Sequence, residues 1–350
     1  MGKVNHELFM KRCLELASLA TGMVAPNPLV GSVIVKGDRI IGEGWHNKYG
    51  GNHAEVNAID SVKDKSLLTS SVLYVNLEPC SHYGKTPPCS RLIAEMKIPE
   101  VVVGTTDTNS LISGKGIRFL RDKGIKVITG VHENFARIVN RRYFTFQEKK
   151  RPYIILKWAQ SADRFLDVDR ELYGNDRPVW ITSETSRSVV HKWRASEQAV
   201  LVGANTVEKD DPILNVRSWT GKNPLRIVID PGLRLSHHFR VFDKSQPTIV
   251  INSKRNNKNG LTEFIKVNFC DNPEHKILDL LYKRGIQSLI IEGGEYTLNR
   301  FINNGLWDEA RVFTGDSVFG SGVPAPPACG ILNDQLNIMN SRLELFLNPG

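Results

Sequence analysis

Two short segments of the chain contain residue types that could hold a metal ion and move a proton. The first is His53-Ala54-Glu55, and the second supplies Pro79-Cys80 and then Cys89. One His and two Cys can bind Zn²⁺ and leave its fourth position open for water. A Glu two residues after the His can exchange protons with that water. The pattern therefore predicts a zinc site for hydrolytic removal of an exocyclic amine from a nucleobase-type ring.

The elements predicted around these residues would bring them to one edge of a sheet. The sequence predicts a helix that starts at His53, a buried strand VLYVNL that ends before Cys80, and another helix that starts at Cys89. Carboxyl ends of strands and N-termini of helices meet at the same edge of an α/β sheet. The helix dipoles there favour thiolates and carboxylates. We therefore expect the three metal-binding candidates to lie close together.

The gap between the two Cys leaves alternatives open. It is wider than the two-residue gap of the usual nucleobase-deaminase motif. A purely structural zinc would have four protein ligands, and His82 or Glu78 could supply the fourth. That closed site would leave Glu55 without a role. Two rival functions are a tRNA-editing or nucleoside deaminase and a nucleic-acid- or ligand-binding protein with a structural zinc.

Composition and charge are typical of a two-domain protein of the cytoplasm. The chain has 350 residues, of which 41% are hydrophobic, and a net charge of +9. No segment reaches the ~20 apolar residues that span a bilayer. Five scattered Cys argue against a disulfide framework and fit a reducing compartment. Because no dense basic run carries interleaved aromatics, we expect a small phosphorylated ligand rather than nucleic acid, and no membrane.

Alternating helix and strand signals predict an α/β fold with two domains. Residues 1–146 contain about five strand signals, including the hairpin VGSVIV and RIIGEGW. A basic stretch from Arg141 to Pro152 marks the boundary, and strands such as YIILKWAQS and SLIIEGG resume in residues 147–350. The segment 253–260 is predicted to be a surface loop. The tail after Gly320 is predicted to be loop plus one strand.

Several N-terminal segments carry a family resemblance. PNPLVGSVIV, GEGWH, HAEVNAI and LEPCSHYGKTPPC closely resemble the first half of the bifunctional deaminase–reductases of riboflavin biosynthesis (RibD/RibG). The resemblance implies a cytidine-deaminase-like three-layer α/β/α domain with one Zn²⁺ on His53, Cys80 and Cys89 and with Glu55 as the proton shuttle. The substrate contacts that it implies are Asn27, His46, Lys85, Thr86, Asp107 and Asn109. Thr108 stands where the family has Pro.

The resemblance continues through the second half in the family's order. It rests on LKWAQSAD, WITSETSR, HKWRA, VLVGANTVEKDDPILNVR and IEGG, and it implies a dihydrofolate-reductase-like α/β domain that uses NADPH. Lys157 and Asp210 would be catalytic. The implied substrate contacts are Arg194, Leu214, Arg217 and Glu292. The implied cofactor contacts are Ala159, Trp180, Thr206, Asp210, Gly293, Gly294, Glu295, Tyr296 and Thr297.

One departure from the family concerns a turn, Ser161-Ala162-Asp163-Arg164, where the family has Ser-Leu-Asp-Gly. A Gly there suggests a sharp turn with positive φ, which Arg164 would have to adopt. The implied function is deamination of 2,5-diamino-6-ribosylamino-4(3H)-pyrimidinone 5′-phosphate, followed by NADPH-dependent reduction of its ribosyl chain, in a homo-oligomer (dimer or tetramer). The alternative is a deaminase whose reductase domain is degenerate or differently specific.

Overall fold

The computed structural model of the chain describes residues 5–82, 87–109, 113–174, 179–327 and 330–350. It consists of two compact units, Met1–Lys150 and Arg151–Gly350. The sequence-based boundary after residue 146 falls within a helix, Arg141–Lys149, and stays a prediction. Among the described helices, none combines the length and the apolar character needed to cross a bilayer.

A five-stranded sheet forms the centre of the first unit. Its strands are β1 (Gly31–Lys36), β2 (Arg39–Trp45), β3 (Val72–Leu77), β4 (Glu100–Thr105) and β5 (Lys126–Thr129). The helices are α1 (His6–Ser18), α2 (Ala54–Ser61), α3 (Cys89–Glu95), α4 (Lys115–Asp122), α5 (Glu133–Val139) and α6 (Arg141–Lys149). The strand order is β2-β1-β3-β4-β5. The β1–β2 hairpin is antiparallel, as predicted, and β3, β4 and β5 are parallel.

Alternating side chains on these strands cover both faces of the sheet. Leu73 and Val75 pack with α2 and α3 residues on one face, whereas Tyr74 packs against α1 on the other. This period-two alternation of apolar residues requires a helical layer on each side. The expected three-layer α/β/α fold is therefore confirmed.

A larger sheet organises the second unit. Its strands and those of a two-stranded ribbon are β6 (Tyr153–Gln160), β7 (Phe165–Val168), β8 (Ala199–Gly203), β9 (Leu225–Ile229), β10 (Thr248–Asn252), β11 (Asn257–Asn259), β12 (Thr262–Lys266), β13 (Ser288–Ile291), β14 (Glu309–Gly315), β15 (Gly322–Pro324), β16 (Ile331–Ile338) and β17 (Ser341–Leu347). The helices are α7 (Arg170–Tyr173), α8 (Glu184–Ser196), α9 (Ala204–Asp210), α10 (Pro273–Lys283) and α11 (Glu295–Asn303).

The ten-stranded sheet has the order β11-β12-β10-β9-β8-β13-β6-β14-β17-β16, and β7 pairs with β15. The strands from β12 to β14 are parallel, and the outer pairs are antiparallel. Leu201 packs on one face of the sheet and Val200 on the other, so both faces are buried. The parallel strands therefore direct their carboxyl ends, and the loops that follow them, to one edge.

Three segments differ from the sequence-based expectation. The basic stretch expected only to mark the boundary is mostly helix α6, because Tyr143 and Phe144 bury a stripe against Leu77. The segment 253–260 contains the short edge strand β11. The tail after Gly320 contains β15 and β16 besides the predicted last strand. Because nearly all of β16 is exposed, it lacks the inward-facing alternation that would have revealed it.

Candidate active sites

One imidazole and two thiols converge in the first unit. His53 lies at the N-cap of α2, Cys80 follows β3, and Cys89 is the first residue of α3. The His53 Nδ1 atom lies 3.6 Å from the Cys80 sulfur and 3.3 Å from the Cys89 sulfur. All three ligand atoms lie within 4.8 Å of one another. The sequence-based ligand set is thus brought together at the sheet edge where it was expected.

The donor chemistry of this cluster fits Zn²⁺. A tetrahedral zinc with Zn–S near 2.3 Å and Zn–N near 2.0 Å places its ligand atoms roughly 3.5–3.8 Å apart. Hydrogen bonding with Cys89 lowers the pKa of the Cys80 thiol against the effect of burial, and His53 lowers it further. Thiolates are the form that binds metal. Glu55, in the first turn of α2, is almost fully buried, and burial raises its pKa to about 7.

Glu78 binds backbone N–H groups, whereas the closed-site alternative would make it the fourth zinc ligand. Its two carboxylate oxygens accept hydrogen bonds from the backbone N–H groups of Asp107, Gly114, Gly116 and Ile117, at 2.9–3.3 Å. This carboxylate therefore fixes the start of α4 beside the cysteine loop. Gly116 is required there, because a Cβ would lie 1.9 Å from the carbonyl oxygen of Pro79.

The other candidate for a fourth ligand is His82, which is exposed. Among the described residues, neither His82 nor Glu78 joins a group of metal-binding side chains with the His53 cluster. The geometry of the described residues thus favours a site with three protein ligands and one open position, the arrangement of a catalytic zinc.

Two of the expected substrate contacts lie beside the metal cluster. The ring of His46 is 5.6 Å from that of His53, centroid to centroid. His46 Nδ1 donates to the carbonyl of Asn52, which leaves Nε2 to accept a hydrogen bond from the Asn27 amide at 3.0 Å. Burial lowers the pKa of His46, which favours the neutral ring that this hydrogen-bond direction requires.

The remaining expected contacts of the first unit differ in exposure. Asp107 is buried, and its carboxylate accepts hydrogen bonds from the Tyr143 hydroxyl and from the Asn109 N–H. Asn109 is half-buried. The hydroxyl oxygen of Thr108 is buried without a hydrogen-bond partner among the described residues; the family's Pro carries no such group. Lys85 and Thr86 lie outside the described residues.

A second candidate site is a cleft of about 1110 Å³ in the second unit. It lies at the carboxyl ends of the parallel strands, where α/β proteins bind their ligands. All the residues that the resemblance implied for this half line it. These are Lys157, Ala159, Trp180, Arg194, Thr206, Asp210, Leu214, Arg217, Glu292, Gly293, Gly294, Glu295, Tyr296 and Thr297.

A buried ion pair between Arg194 and Glu292 lines this cleft. The Arg194 guanidinium donates to both oxygens of Glu292, at 2.8 and 2.7 Å, and a third N–H reaches the carbonyl of Asn215. Burial alone would raise the pKa of Glu292, but Arg194, with Lys157, lowers it to about 2. Burial lowers the pKa of Lys157 on β6, while the charge of Glu292 opposes that change. Sequence reasoning named these residues separately and did not foresee their pairing.

The segment with the altered turn supports the cleft from one side. Arg164 has φ of +67°, so the predicted left-handed conformation is confirmed. Asp163 accepts hydrogen bonds from the N–H groups of Phe319 and Gly320, which anchors the turn. Arg170 joins Asp167 to Asp210 through its guanidinium. Sequence reasoning missed Arg170, which lies in the stretch with little resemblance to the family.

Arginines crowd the part of the cleft near Arg217. Partial burial and the charges of Arg194, Arg240 and Arg187 lower the pKa of Arg217. Arg187 also stacks over the ring of Trp180 at 4.4 Å. Such a concentration of cations attracts an anionic group. Arg187 and Arg240 were not singled out from the sequence, since single surface arginines carry no signal.

The loop around Leu214 is held from beneath by a buried arginine. Arg226, on β9, has no exposed surface. Its guanidinium donates to the carbonyls of Ile213, Arg240 and Gln246 and to the side chains of Thr248 and Asp243. A charged residue inside the apolar strand LRIVI was the available sequence signal, and it was missed.

The small residues after β13 allow close packing at the start of α11. A Cβ at Gly293 would lie 2.7 Å from the Cβ of Thr297. The N–H of Gly294 donates to the Thr206 hydroxyl at 2.9 Å. The ends of β13 and β8 are thereby joined. Together, the two sites define a class of enzyme that joins a deaminase-type zinc site to a dinucleotide-type cleft.

Comparisons with known proteins agree with this class. The family described as the cytidine and deoxycytidylate deaminase zinc-binding region matches residues 3–105, and the RibD C-terminal domain matches residues 152–345. The riboflavin biosynthesis protein RibD of Aquifex aeolicus is 43% identical over 90% of this chain and 88% of its own length. The Synechocystis RibD protein is 36% identical over 95% and 90%, respectively.

Solved structures give the same result. A Thermotoga maritima diaminohydroxyphosphoribosylaminopyrimidine deaminase/5-amino-6-(5-phosphoribosylamino)uracil reductase is 37% identical, has a TM-score of 0.88 and covers 98% of both chains. Acinetobacter baumannii RibD is 29% identical, with a TM-score of 0.86 and coverage of 99% of both chains. The chain belongs to the RibD family, the bifunctional enzymes of riboflavin biosynthesis. It joins a zinc-type deaminase domain to an NADPH-using reductase domain.

Proposed function

We propose that the first unit deaminates 2,5-diamino-6-ribosylamino-4(3H)-pyrimidinone 5′-phosphate and that the second reduces the ribosyl chain of the product to ribityl. The observation that carries the proposal is the three-ligand cluster of His53, Cys80 and Cys89 beside a buried Glu55. The name of the Thermotoga relative supports the choice of substrate. That comparison covers 98% of each chain, including both units, so both steps are proposed.

In the first unit, His53, Cys80 and Cys89 would hold the zinc. When bound, zinc supplies an activated water for attack on the ring carbon that bears the amine. Glu55, buried in the first turn of α2, would take a proton from the attacking water and return one to the departing ammonia. Asn27, whose amide nitrogen bonds to His46, keeps its carbonyl oxygen available for a donor on the pyrimidine.

Other parts of the first unit would contribute to substrate binding. Lys85 and Thr86 are proposed to contact the ribose phosphate. Asp107, bonded to Tyr143 and to the Asn109 backbone, would shape the loop that carries Asn109 towards the substrate. Its burial makes a direct contact between the Asp107 carboxylate and substrate less favourable than this positioning role.

In the second unit, NADPH supplies the hydride. Lys157 would act beside the reacting carbon, and Asp210 also lines the cleft. The Arg194–Glu292 pair would fix the substrate's polar groups and keep the cleft's centre rigid. Arg217, among its neighbouring arginines, would take the 5′-phosphate, and Leu214 would pack against the substrate. Ala159, Trp180, Thr206 and the start of α11 (Gly293 to Thr297) would contact the cofactor.

A coupled assay tests both steps. The purified chain is given the diaminopyrimidine phosphate, and ammonia release and NADPH oxidation are followed with and without a chelator. We expect the chelator to stop ammonia release but not NADPH oxidation when the deaminated product is supplied directly. Zinc-loaded protein that releases no ammonia would refute the deaminase. Failure to oxidise NADPH with the deaminated product would favour the deaminase-only alternative.

Partners, location and oligomeric state complete the proposal. A small phosphorylated substrate, rather than nucleic acid or membrane, fits the cleft and its arginines. A cytoplasmic location fits the free cysteines among the described residues. A homo-oligomer, dimer or tetramer, is retained as a proposal that sedimentation of the purified chain would test.

A further inference from the structure

The strand order of the second unit gives the direction in which a dinucleotide would lie. β6, β13, β8 and β9 are successive neighbours in the sheet. Lys157 lies on β6, Glu292 follows β13, Thr206 follows β8 and Arg234 follows β9, and all four line the cleft. Adjacent strands are ~4.8 Å apart, so the cleft runs ~14 Å from β6 to β9. The end of the cleft at β6 and the end at β9 are therefore lined by different residues.

The end near β9 suits the adenosine half of the cofactor. The reacting end is placed at Lys157, and the N-terminus of α11, which is proposed to contact the cofactor, suits the pyrophosphate. The adenosine must then lie beyond β8. The cleft wall there includes the apolar residues Pro231, Phe269, Pro273 and Ile277. Such a wall can cover a flat purine ring. This inference rests on the reductase function proposed above.

The acidic residue that follows β9, Asp230, is buried and does not face the cleft. A carboxylate at such a strand end commonly binds the ribose 2′-hydroxyl and so selects NADH. Asp230 occupies this place but is only 1% exposed. Its two oxygens accept hydrogen bonds from the N–H groups of Arg234 and Leu235, at 3.2 and 3.0 Å. The Asp230 carboxylate thus stabilises the loop after β9 and is too buried to bind a ribose hydroxyl.

The same loop places an arginine at the cleft wall. The side chain of Arg234 is 48% exposed, and its guanidinium bonds to Glu208 and to the Asn205 side chain, both on α9. Glu208 is itself 35% exposed, so solvent weakens its hold on the arginine. A guanidinium held in this way keeps further N–H donors and matches the geometry of a phosphate.

Arg300, which also lines the cleft, is less suited. Arg300 donates through two nitrogens to both oxygens of Glu274, at 2.6 and 2.9 Å, and Glu274 is buried. This bidentate ion pair neutralises the charge of Arg300. We propose that Arg234 binds the adenosine 2′-phosphate of NADPH and sets the preference of this unit for NADPH over NADH, with Asn205 holding the guanidinium in place.

The test measures binding rather than turnover. Dissociation constants of NADPH, NADH, 2′,5′-ADP and 5′-AMP are determined by calorimetry on the full chain, for the wild type and for Arg234→Met. We expect the variant to bind NADPH and 2′,5′-ADP about 10- to 100-fold more weakly, because it loses hydrogen bonds to a charged group. Binding of NADH and 5′-AMP should change by less than about 2-fold, since neither carries the phosphate.

Matched variants make the result specific. Arg284→Met removes an arginine that pairs with Glu263 away from the cleft, and it should leave all four constants unchanged. Glu208→Gln should raise the preference for NADPH by up to about 5-fold, because it removes a competing negative charge. An unchanged NADPH-to-NADH ratio in Arg234→Met, or a loss of preference in Arg300→Met instead, overturns the assignment. Wild-type protein that binds none of the four ligands overturns the reductase function as well.

Discussion

Replacement of Glu78 by Gln is expected to weaken the first unit without removing its metal. The carboxylate accepts four backbone N–H groups, whereas an amide offers one oxygen and turns its NH₂ towards the other donors. Each buried donor left unsatisfied costs about 1–3 kcal/mol. Two such donors predict a loss of about 3 kcal/mol, which lowers the unfolding temperature of a unit of this size by roughly 6–12 °C.

Thermal unfolding of the full chain, followed by calorimetry, measures this shift. Zinc content is determined on the same samples well below the transition. Glu95→Gln is the control, because Glu95 is an exposed carboxylate of the same unit. The expected result is about one zinc in every sample and a lower transition only for Glu78→Gln. Zinc lost from that variant at an unchanged unfolding temperature would refute the structural role and revive Glu78 as a ligand.

Three further predictions concern single residues. Glu55→Gln should retain about one zinc by metal analysis but lose deaminase activity by roughly 10²- to 10⁴-fold, the usual contribution of a general acid–base; activity near wild type would contradict its role. The pKa of His191 is lowered to about 4 by burial and by Arg194 and Arg217, so the unfolded state takes up a proton first as the pH falls. Stability of the second unit should therefore drop between about pH 6.5 and 4 by about 2 kcal/mol, and His191→Gln should flatten that slope in urea unfolding. Arg164→Gly should leave the second unit equally stable or stabilise it by up to about 1 kcal/mol, because the native φ is positive; a clear loss in urea unfolding would contradict this reasoning.

The metal cluster was predictable because its residues follow strong local signals. The buried strand before Cys80 and the helix starts at His53 and Cys89 bring the ligands to one edge, whatever their separation in sequence. The role of Glu78 was not predictable, since its four donors lie 29 to 39 positions away in the chain. Single-sequence patterns carry no information on such pairing.

The second unit shows the same limit more clearly. Its parallel strands are near-continuous apolar runs, which sequence reveals well. The Arg194–Glu292 pair joins residues 98 positions apart, and Arg187 and Arg240, which line the cleft, look like any other surface arginine in the sequence. Strand β16 lacks a buried face and so lacks the alternation that marks a strand. What sequence missed in this unit is therefore mainly long-range side-chain pairing and solvent-exposed structure.

The buried guanidinium of Arg226 has a consequence for motion. It joins three stretches of the chain, at Ile213, at Arg240 and at Gln246, through bonds that a Lys could not replace. Opening any one of these stretches would remove one or more of the acceptors of a buried charged group, which is costly. Their amide protons should therefore exchange with solvent together, at the rate of one cooperative unit. The rim of the cleft near Leu214 should therefore move only as part of this unit and not as a separate flap.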